Sequence, residues 1–175
     1  MRKTLGIVIL VSVLWIIVGH SYSDSDPASG SSIAKVGSEA PNFTLPSLDG
    51  KSYSFSEAKG KPIVLNFWNS WCGPCKKETP ELVKLYNQHK GQFRMIGINI
   101  TANSDTVGAV KLFVQDYNMT YPVLLDKKGK VSSRYRVHSI PTTYLIDENG
   151  VIVAKFVGYQ GNGALTRKIE AFISK

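Results

Sequence analysis

The sequence predicts an α/β fold, with a mixed central sheet flanked by helices, over residues 36–175. Three observations lead there. Apolar, β-branched runs of strand length alternate with amphipathic runs of helix length, the pattern of parallel strands linked by crossover helices. Near the C-terminus two strand runs follow each other directly, which predicts an antiparallel edge on that sheet. Between the first core strand and the first helix stands Trp71-Cys72-Gly73-Pro74-Cys75, which holds the only two cysteines of the chain.

The elements follow in order. Asn42-Phe43-Thr44-Leu45 and Ser52-Tyr53-Ser54-Phe55 alternate polar with apolar residues around Leu48-Asp49-Gly50-Lys51, a hairpin signature. Pro62 stops any preceding helix, and Ile63 to Trp68 reads as the first core strand. Lys76 to Gln88 reads as a helix with Leu82, Leu85 and Tyr86 on its apolar face, closed by Gly91. Phe93 to Ile100 is a second core strand. Ser104 is placed to cap a helix over Asp105 to Tyr117, with Val107, Val110 and Val114 at helical spacing. Tyr121 to Leu125 is short and extended, and a short helix precedes Thr142. Thr142 to Ile146 and Val151 to Val157 are strands joined by Asp147-Glu148-Asn149-Gly150. Leu165, Ile169, Phe172 and Ile173 mark a final amphipathic helix.

The cysteine pair carries the chemistry. Two sulfurs at this spacing can close a small disulfide ring. The N-terminus of the helix that follows the pair turns bare N–H groups and a partial positive charge toward the first sulfur, which favours its thiolate. That thiolate can attack a disulfide, and the second cysteine can resolve the mixed disulfide. Zinc is disfavoured, because a structural site needs about four ligands and His20, His89 and His138 are scattered. A purely structural bridge across so short a loop would remove little chain entropy. Trp68 and Trp71 are candidates for an apolar rim where partners dock, Trp68 being the better candidate for core packing.

The N-terminus bears Arg2 and Lys3, then an apolar stretch from Leu5 to Val18, with no charge from Thr4 to Ser23. Those 20 residues are just enough to cross about 30 Å of hydrocarbon at about 1.5 Å per residue. Residues 1–23 therefore read as a signal anchor with its basic end in the cytoplasm. Cleavage after a signal peptide, and secretion, is the alternative. Either way the remainder faces the outside of the cytoplasmic membrane. Residues 24–35 read as a flexible linker. The net charge of +8 is dispersed. It carries no nucleic-acid motif, so no nucleic-acid partner is expected.

With these motifs in view, the chain resembles the thioredoxin superfamily, and within it the membrane-anchored TlpA/ResA-type thiol–disulfide oxidoreductases. The resemblance is carried by Val64 through Glu78, by Ser139-Ile140-Pro141-Thr142-Thr143-Tyr144-Leu145-Ile146, and by Val36-Gly37-Ser38-Glu39-Ala40-Pro41-Asn42-Phe43. It implies a thioredoxin fold with an N-terminal hairpin and an inserted helix at about Ser104 to Tyr117. It implies an exposed nucleophile at Cys72, a buried resolving thiol at Cys75, and a cis Ile140–Pro141 bond beside them. Trp71, Gly73, Pro74, Ile140 and Pro141 form the client-contact surface it implies. Thioredoxin itself handles the resolving proton with a buried Asp, where this chain has Asn66. ResA-type proteins place a Glu three residues after the second cysteine, and Glu78 occupies that position, so the resemblance gives it the proton-handling role.

The resemblance further implies client proteins bearing disulfides, such as apocytochrome c or envelope enzymes. It also implies an integral-membrane electron donor of the CcdA type, and no dissociable cofactor. Gly73-Pro74 matches thioredoxin and suggests a reductant. The rivals are an oxidant or isomerase on the same fold, a peroxiredoxin-like peroxidase, and a copper-binding module, which would want one more residue between the cysteines.

Overall fold

The computed structural model describes residues 32–174; the predicted anchor and most of the predicted linker lie outside them. A hairpin of β1 (Thr44–Pro46) and β2 (Ser52–Ser54) leads through a 3-10 turn at Phe55–Ala58 into the main sheet. Then follow β3 (Ile63–Trp68), α1 (Gly73–Gln88), β4 (Arg94–Asn99), α2 (Val107–Asp116), β5 (Val123–Leu125) and α3 (Lys130–Arg134). The chain ends with β6 (Thr142–Ile146), β7 (Ile152–Val157) and α4 (Ala164–Ile173).

The sheet order is β5-β4-β3-β6-β7. β3, β4 and β5 run parallel, while β6 and β7 are antiparallel to their neighbours. The mixed sheet expected from the sequence is therefore present. Every residue of β3 and of β6 is buried, because both faces of the sheet are covered. Strand parity sorts the side chains into two cores. Ile63, Leu65 and Phe67 point into one core with Phe43, Phe55, Tyr135 and Tyr144. Val64 and Trp68 point into the other, with Leu82 and Leu85 of α1, Phe113 of α2 and Leu165 and Ile169 of α4. Trp68 stacks on Phe113 at 4.5 Å between ring centroids, so it is core, as its sequence setting suggested. Gly97 of β4 makes room for it: a Cβ there would lie 3.1 Å from Trp68 Nε1.

Several boundaries differ from expectation; β4, β5 and β7 are shorter than their apolar runs, and three other differences have a structural cause. α1 starts at Gly73, three residues before Lys76, because Cys72 itself caps it. Ser104 does not cap α2. It sits at φ 60°, and Thr106 caps instead, its Oγ accepting from the Ala109 N–H. The cause is Asp105, drawn out of the helix into buried hydrogen bonds with Asn69, Ser70 and Asn99. Ala34, expected within the flexible linker, is buried and donates its N–H to the Arg134 carbonyl, so the packed domain begins before Val36.

Candidate active site

β3 delivers the chain to the carboxyl end of the parallel strands, and α1 begins there. Cys72 and Cys75 are joined by a disulfide with Cα atoms 5.2 Å apart. Cys72 has extended backbone, and its Sγ accepts the Cys75 N–H at 3.2 Å. A side-chain sulfur thus takes the role that Ser or Asp plays at an ordinary helix N-cap. Pro74 costs nothing in this first turn, where its missing N–H would have had no intrahelical partner. On reduction, the same N–H and the positive end of a 16-residue helix remain aimed at Cys72 Sγ and lower the free energy of its thiolate.

The expectation of an exposed Cys72 is corrected. In the disulfide form Cys72 is only 4% exposed and Cys75 1%. Cys72 Sγ is tucked against neighbouring backbone: the Ile140 carbonyl oxygen lies 3.8 Å from it. A disulfide sulfur has no proton to donate, so this is a contact rather than a hydrogen bond. The surface around the ring is the accessible part. Trp71 is 56% exposed; Gly73 and Pro74 are exposed, and Ile140 is half-buried. The Ile140–Pro141 bond is cis and Pro141 is buried. His138 is exposed. Two grooves flank the hairpin, and neither is lined by a cysteine. The disulfide is thus covered, and the exposed Trp71, Gly73 and Pro74 lie beside it in the chain.

Beneath the ring lies a buried polar group. Asn66 and Thr143 are register partners on β3 and β6, and both share the parity of the α1-facing residues. Cys75, Glu78 and Leu82 fall on the buried face of α1. Glu78 is 3% exposed. Asn66 Nδ2 donates to Glu78 Oε1 and to Thr143 Oγ1, each at 2.9 Å. Burial pushes the Glu78 carboxyl up to about 7; the Asn66 hydrogen bond opposes this and the nearby Glu81 carboxylate adds to it. A carboxyl poised near neutrality, one helical turn from Cys75, can accept or return a proton at physiological pH. Glu78 is thus not the solvated helical Glu that its sequence setting alone would allow.

Sequence reasoning passed over two members of this region. Thr143 completes the Asn66 bonds. Asp105 collects five donors: Ser70 N–H at 2.7 Å, Ser70 Oγ at 2.6 Å, Asn99 Nδ2 at 2.8 Å, Thr106 N–H at 3.0 Å and Asn69 Nδ2 at 3.2 Å. The available signal was the polar run Asn69-Ser70 at the end of an apolar strand, which needs a buried acceptor.

With this geometry established, residues 36–155 match the AhpC/TSA family. The chain belongs to that thioredoxin-like family. Within it, the chain is 38% identical to the thiol-disulfide oxidoreductase ResA of Bacillus cereus, over 81% of its own length and 78% of the relative's. It is also 38% identical to the thioredoxin-like protein YneN of Bacillus subtilis, over 77% and 78% respectively. Among solved structures, a putative thiol:disulfide interchange protein DsbE from Chlorobium tepidum matches with a TM-score of 0.72 and 32% identity. That match covers 81% of this chain and 99% of that one. The chain is a thiol–disulfide oxidoreductase on a thioredoxin fold, and such a family acts on disulfide-bearing client proteins.

Proposed function

We propose that this member of the family is a reductant of client disulfides, held on the outer side of the cytoplasmic membrane by residues 1–23. The observation that carries the reading is the Cys72–Cys75 pair at the start of α1, with Glu78 buried one turn behind Cys75. The Cys72 thiolate attacks one sulfur of a client disulfide. A mixed disulfide forms and the client's other sulfur leaves as a thiolate. Cys75 passes its proton to the Glu78 carboxylate and attacks Cys72 Sγ. The Cys72–Cys75 disulfide closes and the second client thiolate departs. The client gains two electrons and this protein loses two, which a membrane thiol donor of the CcdA type restores. Trp71, Gly73, Pro74, Ile140 and Pro141 receive the client strand.

Several features support the finer points. Gly73-Pro74 is the pair that thioredoxin carries between its cysteines. Arg2 and Lys3 before an uncharged stretch support the tether. Envelope proteins, including apocytochrome c, are the clients the family resemblance suggests.

Replacing Cys75 by Ser removes the resolving thiol and leaves Cys72 able to attack. Expressed in the native host, Cys75→Ser should accumulate a reducible adduct with an envelope protein that mass spectrometry identifies. An absence of any adduct, or adducts confined to cytoplasmic proteins, would refute the reading.

A further inference from the structure

We propose that Asp105 is a positioning residue for client docking: it latches the loop between β4 and α2 onto the residues entering Cys72, and so fixes the Trp71 indole as a platform beside the disulfide. This rests on the client-reducing reading of Cys72–Cys75.

The latch is unusual for its position. Asp105 is 8% exposed and, among the described residues, pairs with no cation. Burial raises its carboxyl, but the hydrogen bonds from Ser70, Asn99 and Asn69 outweigh that and hold it below its ordinary range. It is therefore a fixed negative charge at neutral pH, satisfied by neutral dipoles alone. Local helix structure does not require it, since Thr106 already caps α2. Its strongest bonds instead reach back 35 residues, to the N–H and hydroxyl of Ser70. Asn69, held by the same carboxylate, also donates to the Ile100 carbonyl at the end of β4. The two loops are thus tied at both ends.

Trp71 is where this tie matters. Its ring is exposed, and its Nε1 donates at 3.2 Å to the carbonyl of Asn103, in the latched loop. That single bond sets the ring's orientation, and it lasts only while the loop stays beside Ser70. An exposed indole anchored by one hydrogen bond presents apolar area at little conformational cost to a docking chain.

Asp105→Asn keeps the size but turns an NH2 toward a site populated only by donors. The assays are reduction of insulin and of the small aromatic disulfide dithiobis(nitrobenzoate). We expect kcat/KM for insulin to fall about tenfold through KM, the scale of losing one substantial aromatic interface contact, with the small disulfide changed less than twofold. The Trp71 indole N–H resonance, assigned by its loss in Trp71→Phe, should shift upfield. The double variant should be no slower on insulin than Trp71→Phe, because both changes remove one platform. Equal losses on both disulfides, additive losses, wild-type kinetics or an unmoved indole resonance would each overturn the proposal. Should Asp105→Asn fail to fold, Ser70→Ala deletes only the hydroxyl donor and must give the same pattern in weaker form. A wild-type protein inert toward both disulfides would instead sink the reductant reading and the docking role with it. The indole resonance would still decide whether the latch holds Trp71.

Discussion

Replacing Glu78 by Gln keeps the shape of the side chain and the acceptor that meets Asn66 Nδ2, and removes the titration. The wild-type carboxyl is raised from 4.5 to about 7 when folded, chiefly by burial. Between those two values the native state keeps a proton that the unfolded chain has released. Stability therefore falls as pH rises, by about 1.4 kcal/mol per pH unit. The shift spans about 2.5 units, so Glu78 should cost the folded protein about 3 kcal/mol above pH 7 relative to pH 4.5. Urea unfolding of the oxidised protein, in which neither cysteine titrates, measures this directly. The stability difference between Glu78→Gln and wild type should be flat below pH 4.5, grow in favour of the variant up to pH 7, and level off beyond. Wild-type and variant curves that run parallel across this range would refute the burial argument and the proton-handling role built on it.

Other outcomes follow from the same packing. Asn66→Leu removes the bond that holds the Glu78 carboxyl down, so the stability transition should move to higher pH. The orphaned Thr143 and Glu78 acceptors should cost about 1–3 kcal/mol at pH 8 in the same unfolding assay. Gly97→Ala places a methyl 3.1 Å from Trp68 Nε1 and 3.3 Å from the Tyr121 ring. It should lower stability by about 1–3 kcal/mol, visible as a lower urea midpoint with an unchanged slope; an unaffected midpoint would show that Trp68 yields freely.

The legible parts of this chain were those fixed by local pattern. β3 and β6 span the residues their apolar, β-branched and aromatic runs marked, because a strand buried on both faces carries few polar residues, here Asn66, Thr142 and Thr143. The cysteine pair was legible because its chemistry depends on spacing and on the helix that follows. What stayed hidden depends on neighbours distant in sequence. The burial of Glu78 arises from the parity of Asn66 on one strand, its pairing with Thr143 on another, and the face of α1 laid over both. Ser104 looked like a helix cap because nothing local revealed that Asp105 would be claimed by Ser70. Thr106, two residues on, was then the free cap. The resemblance implied an exposed Cys72 and placed Ile140–Pro141 beside it, but not how closely the Ile140 carbonyl, 68 residues on, lies against its sulfur.

The central claim is that Cys72, at the amino end of α1, is the reactive thiolate and Cys75 the sheltered partner. Alkylation of the reduced protein by iodoacetamide across pH 5–10, with each cysteine followed separately by mass spectrometry, tests this most directly. The account predicts that Cys72 is modified first, with an apparent pKa below the free-thiol value of about 8.5, and that Cys75 lags at every pH. Equal modification of the two, or a Cys72 pKa at or above the free-thiol value, would contradict it.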